Sequence, residues 1–212
     1  MSPPHLIRAR STVFQDGHGF WLVGEPPEDL RVSNGIRVYG RNLAHAANVG
    51  DYVSLSGKIT EYRGPSRQND LFLTEIESPT NIRVHSHDNT VLPVILGEDR
   101  IPPFNALSVH DKGADGWLSV PGNITLNEVA NATLQPDKYG LDFWESLEGQ
   151  LVMIKKPTVV SFPDRFGSFW VHGDWPVNGK NSRGGLSLAF GVFYCPCVTS
   201  PQRDNILVLR RS

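Results

Sequence analysis

Trp21, Arg37 and Tyr39, together with Arg41, Lys58, Arg63 and Arg67, are the residue types that hold single-stranded DNA or RNA. Bases stack on aromatic rings while cationic side chains follow the phosphates. Strand alternation puts either Trp21 with Val23, or Phe20 with Leu22, outward, and gives Arg37 and Tyr39 a shared face. The competing reading packs Trp21 under the acidic loop at 25–29 and uses Tyr39 to close a barrel end, and those acidic residues then repel phosphate. Other groupings carry less chemistry. His85-Ser86-His87 sets two imidazoles on one strand face, but a metal site needs a third or fourth ligand and only distant Asp or His residues offer one. A solvated strand end is the expectation there. Cys195 and Cys197 are too close for an unstrained disulfide and lack the gap of a redox pair or zinc knuckle. Gly184-Gly185 lacks the strand–turn–helix context of a phosphate loop. Asn123-Ile124-Thr125 and Asn131-Ala132-Thr133 are glycosylation acceptors in form, though such triplets also arise by chance.

The element that must position the aromatic and basic residues runs from Val49 to Tyr62. Val49-Gly50-Asp51 reads as a turn, because Gly tolerates positive φ and Asp bonds back to nearby amides. Val53, Leu55, Gly57 and Ile59 then alternate with polar neighbours, the pattern of a half-buried strand. Gly57, standing where a side chain would pack, predicts a bulge or sharp bend. Before it, residues 6–14, 20–23 and 36–39 read as strands separated by turns at 15–19 and 33–35, and 41–48 as one or two helical turns. After it, Leu71, Leu73 and Ile76 mark a fifth strand to about Glu77, which Ile82 and Val84 extend at an edge. Five short strands with a bent fourth predict a mainly β fold that opens with a five-stranded OB-fold barrel. An SH3-like barrel is the rival, and it needs no helix at 41–48.

With 20 Gly and 16 Pro in 212 residues and few long apolar helical periods, the whole chain reads as strand and turn. A formal charge of -2 argues against a strong non-specific grip on phosphate backbones. No stretch approaches the ~18 apolar residues of a membrane span, and the first nine residues hold no apolar run of signal-peptide length. Pro93, Pro102 and Pro103 flank a turn at 97–100, a plausible boundary. Beyond it Val109, Trp117, Leu118 and Val120 read as short-strand residues, 137–147 as a helix capped by Asp137 and ended by Gly149, and 150–154, 158–160 and 168–172 as strands.

The series Gly19-Phe20-Trp21-Leu22, Ser33-Asn34-Gly35-Ile36-Arg37-Val38-Tyr39, Val49-Gly50-Asp51, Leu55-Ser56-Gly57-Lys58-Ile59 and Glu61-Tyr62 resembles the OB-fold modules that precede the catalytic domain of secreted nucleases of the endonuclease/exonuclease/phosphatase superfamily. The run from Leu134 to Gly149 resembles the opening of a second such unit in eukaryotic microbial members, so the likeness spans roughly residues 12–188. It implies a barrel at 1–90, a linker at 91–103, a second, incomplete OB-like β unit at 104–188 with a short helix near 137–148, and an atypical tail at 189–212. It also implies an extracellular, non-catalytic module that assists nucleic-acid binding, with a structural or protein-docking barrel as the alternative. The family's divalent metal belongs to its catalytic domain, and no cofactor is expected in this chain. Gly173-Asp174-Trp175 lacks the Asn of the family's Gly-Asp-Phe-Asn motif, and Ser86-His87-Asp88 reverses its Ser-Asp-His. Both read as turns, no catalytic residue carries over, and the departures after Gly185 suggest a fragment or an imperfect gene model.

Overall fold

Alternating apolar residues make one ring of strands near the start of the chain. The computed structural model describes residues 5–12, 18–41, 43, 46–65, 72–104, 133–163, 169–177, 182–183 and 207–209. Five strands come first: β1 (His5–Thr12), β2 (Gly19–Val23), β3 (Gly35–Tyr39), β4 (Tyr52–Tyr62) and β5 (Leu73–Ser86). They pair in the order β1-β2-β3-β5-β4, and β4 pairs again with β1, so the ladder returns on itself. All pairs are antiparallel except β3 with β5. Phe20, Leu22, Val38, Val53, Leu55 and Ile76 point into the ring, each at most 1% exposed. Burying each contributes about 1.5–3 kcal/mol.

β4 spans the predicted residues, and its bend is where Gly57 stands. The β4–β5 register slips between Ser54 and Ser56 and again between Ser56 and Lys58. A Cβ on Gly57 would lie 2.3 Å from Ile76 Cγ2, so only glycine lets the two strands approach this closely. The turn before β4 has the expected chemistry. Gly50 has φ +83°, and Asp51 Oδ2 accepts the Asn48 amide at 2.8 Å. Asn89, just after β5, donates its backbone and side-chain N–H to the Gly50 carbonyl. β5 runs past the expected end near Glu77, because positive φ at Ser78 and Asn81 bends the strand without ending its pairing with β4. Among residues 41–48, those described form no helix. Leu43 and Ala46 close a turn, and Leu43, Ala46 and Ala47 pack on the ring's core. Residues 42, 44 and 45 lie outside the described residues.

The second part of the chain builds a separate, smaller core. β6 (Val94–Leu96) pairs in parallel with β7 (Val152–Ile154), and β8 (Thr158–Val159) and β10 (Leu207–Leu209) flank β9 (Phe169–His172). Leu96, Phe143, Leu147 and Trp175 are its buried centre. Three expectations need correction. The linker at 91–103 contains β6, whose apolar residues join this core. The helix is α1 (Gly140–Glu145), shorter than 137–148: Gln135, Pro136 and Asp137 form a turn, with the Gln135 carbonyl accepting the amides of Lys138 and Tyr139, and the N-cap is Tyr139 rather than Asp137. The tail at 189–212 contributes β10, its described residues, to the three-stranded sheet. Among the described residues of the second unit, the two small sheets close no ring. Val109, Trp117, Leu118, Val120, Cys195 and Cys197 lie outside the described residues.

The two units meet backbone to backbone. A Cβ on Gly35 would lie 2.2 Å from the Gly149 carbonyl carbon, and Gly149 itself has φ +69°. Ser33 Oγ donates to the Glu148 carbonyl, and the Thr74 amide donates to Glu148 Oε1 at 2.9 Å. Gly35→Ala should therefore wedge the units apart and cost about 1–3 kcal/mol, as overpacking does. Gly24→Ala is the control, since its added Cβ meets nothing closer than 3.6 Å. Urea unfolding of both variants checks this, and equal midpoints for the two would contradict it.

Candidate functional site

Inward Phe20 and Leu22 settle the alternation of β2, so Trp21 and Val23 face outward. Inward Val38 turns Arg37 and Tyr39 outward in the same way. Trp21 stands directly opposite Arg37 in the β2–β3 ladder, which puts all three side chains on one face. The Arg37 guanidinium lies 5.1 Å from the Tyr39 ring centroid, a cation–π distance. Trp21 is partly covered and Tyr39 is 39% exposed. Neither Trp21 nor Tyr39 belongs to the buried core.

The parallel partner of Arg37 on β5 is Glu75, and that of Tyr39 is Glu77. Arg37 Nη1 sits 3.5 Å from Glu75 Oε2, whose side chain is 1% exposed. Burial pushes the Glu75 carboxyl up from its ordinary value, and the Arg37 charge opposes that rise. Lys58 on β4 is exposed and opposite Glu77. The outward rows thus read Trp21–Arg37–Glu75 and Tyr39–Glu77–Lys58, alternating in charge. Of the other expected basic residues, Arg41 is exposed just past β3, and Arg63 lies 4.2 Å over the Phe72 ring. Arg67, Asn123 and Asn131 lie outside the described residues. The structure brings Trp21, Arg37 and Tyr39 together as expected, but it sets a glutamate beside two of the cations.

The two histidines of 85–87 have separate partners. His85 Nε2 is 2.7 Å from Ser54 Oγ, and His87 Nδ1 is 2.7 Å from Asp51 Oδ1. The Asn48 amide holds the Asp51 carboxyl below its usual range against the effect of burial, with help from His87. Ser54 is 4% exposed, so its hydroxyl is shut away from any substrate, and the serine–histidine contact fastens β4 to β5. Asp174 is exposed at the end of β9, beside the buried Trp175.

Sequence reasoning missed a cleft of about 540 Å³ between the ring and the second unit. Val23, Pro26 and Leu30 wall it from the ring side, Leu151 from the other, and Asn34 and Arg100 bring polar groups to it. Asn34 Nδ2 donates to the carbonyls of Gly24 and Glu25, while its buried Oδ1 has no hydrogen-bond partner. Arg100 stacks 5.0 Å over the Phe143 ring and donates to Ser146 Oγ at 2.9 Å. Burial lowers its pKa, and the field of Asp137 partly offsets that. The Ser-Asn-Gly turn and the turn at 97–100 were visible in the sequence. Their convergence was not, since it depends on the docking at Gly149.

Carboxylates gather where α1 meets the ring. Burial first, then the neighbouring Glu148, Glu61 and Asp142, push Glu145 up to about 8. Between the ordinary value of 4.5 and about 8, the folded chain holds a proton that the unfolded chain releases. Stability from this group is therefore complete below the ordinary value and is lost as pH rises through the folded value. Glu145→Gln should flatten that loss, raising stability more at about pH 8.5 than at about pH 5. Urea midpoints at the two pH values check it, and parallel profiles for variant and wild type would contradict the assignment.

No curated protein and no solved structure matches the chain. One family model matches residues 95–207, from the second residue of β6 to the first of β10. The stacking face lies wholly outside that span. On the strength of this match over about half its length, the chain belongs to the family described as a domain of unknown function (DUF8508).

Proposed function

We propose that the ring is an OB-fold and that its β2–β3 face binds single-stranded nucleic acid as a non-catalytic module of a nuclease-like, secreted protein. The observation that carries this reading is the shared outward face of Trp21, Arg37 and Tyr39, with Arg37 stacked on Tyr39. The second and third strands are the surface on which OB-folds bind oligonucleotides. The order β1-β2-β3-β5-β4 with a parallel β3–β5 pair supports that assignment over an SH3-like barrel. The resemblance at residues 19–62 to nuclease-associated modules supports the context. Because Glu75 and Glu77 stand beside Arg37 and Lys58, the grip comes mainly from stacking rather than from phosphates.

One observation favours a second reading, a protein-docking barrel without nucleic-acid affinity. The alternating charges on the outer rows neutralise one another and give a polyanion little net attraction. Binding of a fluorescent oligothymidylate separates the two. Under the first reading, Trp21→Ala and Tyr39→Ala each weaken binding by about 1–3 kcal/mol, and both variants stay folded. The salt slope should be shallow, corresponding to about two phosphates or fewer. Absence of wild-type binding, together with a Trp21→Ala loss of stability near the ~3–5 kcal/mol of a buried aromatic, would favour the docking reading instead.

A further inference from the structure

The cleft between the units holds a guanidinium that is in direct ion-pair contact with no carboxylate among the described residues, Asp137 acting on it only through its field. Arg100 is partly buried, its one side-chain hydrogen bond goes to a neutral hydroxyl, and among the described residues no carboxylate lies in ion-pair range of it. A guanidinium has five N–H donors in a planar fork, so most of its capacity remains unused. Such a group gains most from a carboxylate or phosphate that it can grip with two parallel bonds.

Two features of the same cleft choose between those anions. Asp99 and Glu25 also line it, and Asp99 spends Oδ2 on the Ile95 amide, while Oδ1 has no hydrogen-bond partner among the described residues. Two carboxylates lining the same cleft disfavour a doubly charged phosphate, yet they suit a ligand that carries a cation next to its own carboxylate. Much of the remaining wall is apolar, with Leu30 52% exposed toward solvent beside Val23, Pro26 and Leu151, while Asn34 and Gln150 add neutral polar groups. The volume of about 540 Å³ lies in the range of small-molecule sites.

We infer that this cleft binds a free amino acid with an apolar side chain. The carboxylate pairs with Arg100, the ammonium faces Asp99 and Glu25, and the side chain lies against Leu30, Val23 and Leu151. The site uses none of the residues of the stacking face, so it stands or falls independently of nucleic-acid binding.

Calorimetric titration of the full chain tests this with L-phenylalanine, L-leucine, N-acetyl-L-phenylalanine, L-phenylalanine amide and thymidine monophosphate. Saturable binding of one of the two free amino acids is expected. The two blocked phenylalanines, each lacking one charged contact, should bind about tenfold more weakly or worse. Arg100→Leu should abolish binding. Should that variant lose its fold with its contacts to Phe143 and Ser146, Leu30→Glu provides the same test, because it charges the apolar wall at an exposed position. Three results would overturn the inference: no saturation by either amino acid up to about 10 mM, equal binding of N-acetyl-L-phenylalanine, or wild-type affinity in folded Leu30→Glu. Binding of thymidine monophosphate in place of the amino acids would assign the cleft to phosphate instead.

Discussion

A strand that is bonded along both edges must bend where one of its partners ends, and β4 is that strand. β1 pairs with it from Tyr52 to Gly57, while β5 follows it along its whole length to Tyr62. At Gly57 the β4–β5 register slips, and Ile76 comes close enough to fill the place of a side chain. That single missing Cβ lets β4 leave β1 without losing β5, which is the condition for the ladder to return on itself. A side chain at this position would displace Ile76, one of the fully buried residues of the core. The inward positions of β2 and β3, and so the outward direction of Trp21, Arg37 and Tyr39, depend on that core staying closed.

A second close approach governs how the units are joined. Gly35 opens β3 and Gly149 ends the turn after α1, and their backbones touch with no room for a methyl group on either. Around this contact, Ser33 and Thr74 satisfy the carbonyl and the carboxylate of Glu148. Leu151 and Arg100 of the second unit line one cleft with Val23, Leu30 and Asn34 of the first. It also confines Glu145 and Glu148 among other carboxylates, where burial raises both above their ordinary values. Close backbone packing thus goes together with crowded acids, and the raised carboxyls of Glu145 and Glu148 both lie at this junction.

What could be read from the sequence followed the range of the interactions concerned. β4 was the most legible strand, because the alternating positions Tyr52 to Thr60 follow a turn marked by both Gly50 and Asp51, although Ser54 is buried and Ile59 is 49% exposed, the reverse of what alternation predicts. The second half of β5 was marked only by Ile82 and Val84, because positive φ at Ser78 and Asn81 breaks the alternation between them and Glu77. The helix was drawn too long because leucine and tryptophan spacing continues into residues whose backbone instead makes turns on either side of α1. The face of Trp21 stayed ambiguous until inward Phe20 and Leu22 fixed it. The partner of Arg37 was out of reach altogether: Glu75 is 38 residues away, joined by a parallel pairing that no local pattern encodes. The cleft needed a contact spanning 115 residues, from Ser33 to Glu148.

The face and the cleft are neighbours along β2, yet their electrostatics differ. Trp21 and Val23 point the same way two residues apart, about 7 Å along a strand, and Val23 already lines the cleft. On the face, cation and carboxylate alternate between adjacent strands, so each charge is answered within the sheet. In the cleft, Arg100 touches a hydroxyl and an aromatic ring, and a carboxylate, Asp137, reaches it only through its field. The ionic groups of the cleft therefore lie where the two units meet, while the β2–β3 face presents aromatic rings beside paired charges. A molecule that needs a strong, directional ionic contact is better served by the cleft. The β2–β3 face thus sets its rings among charges that neutralise one another, whereas the cleft sets Arg100 against an apolar wall.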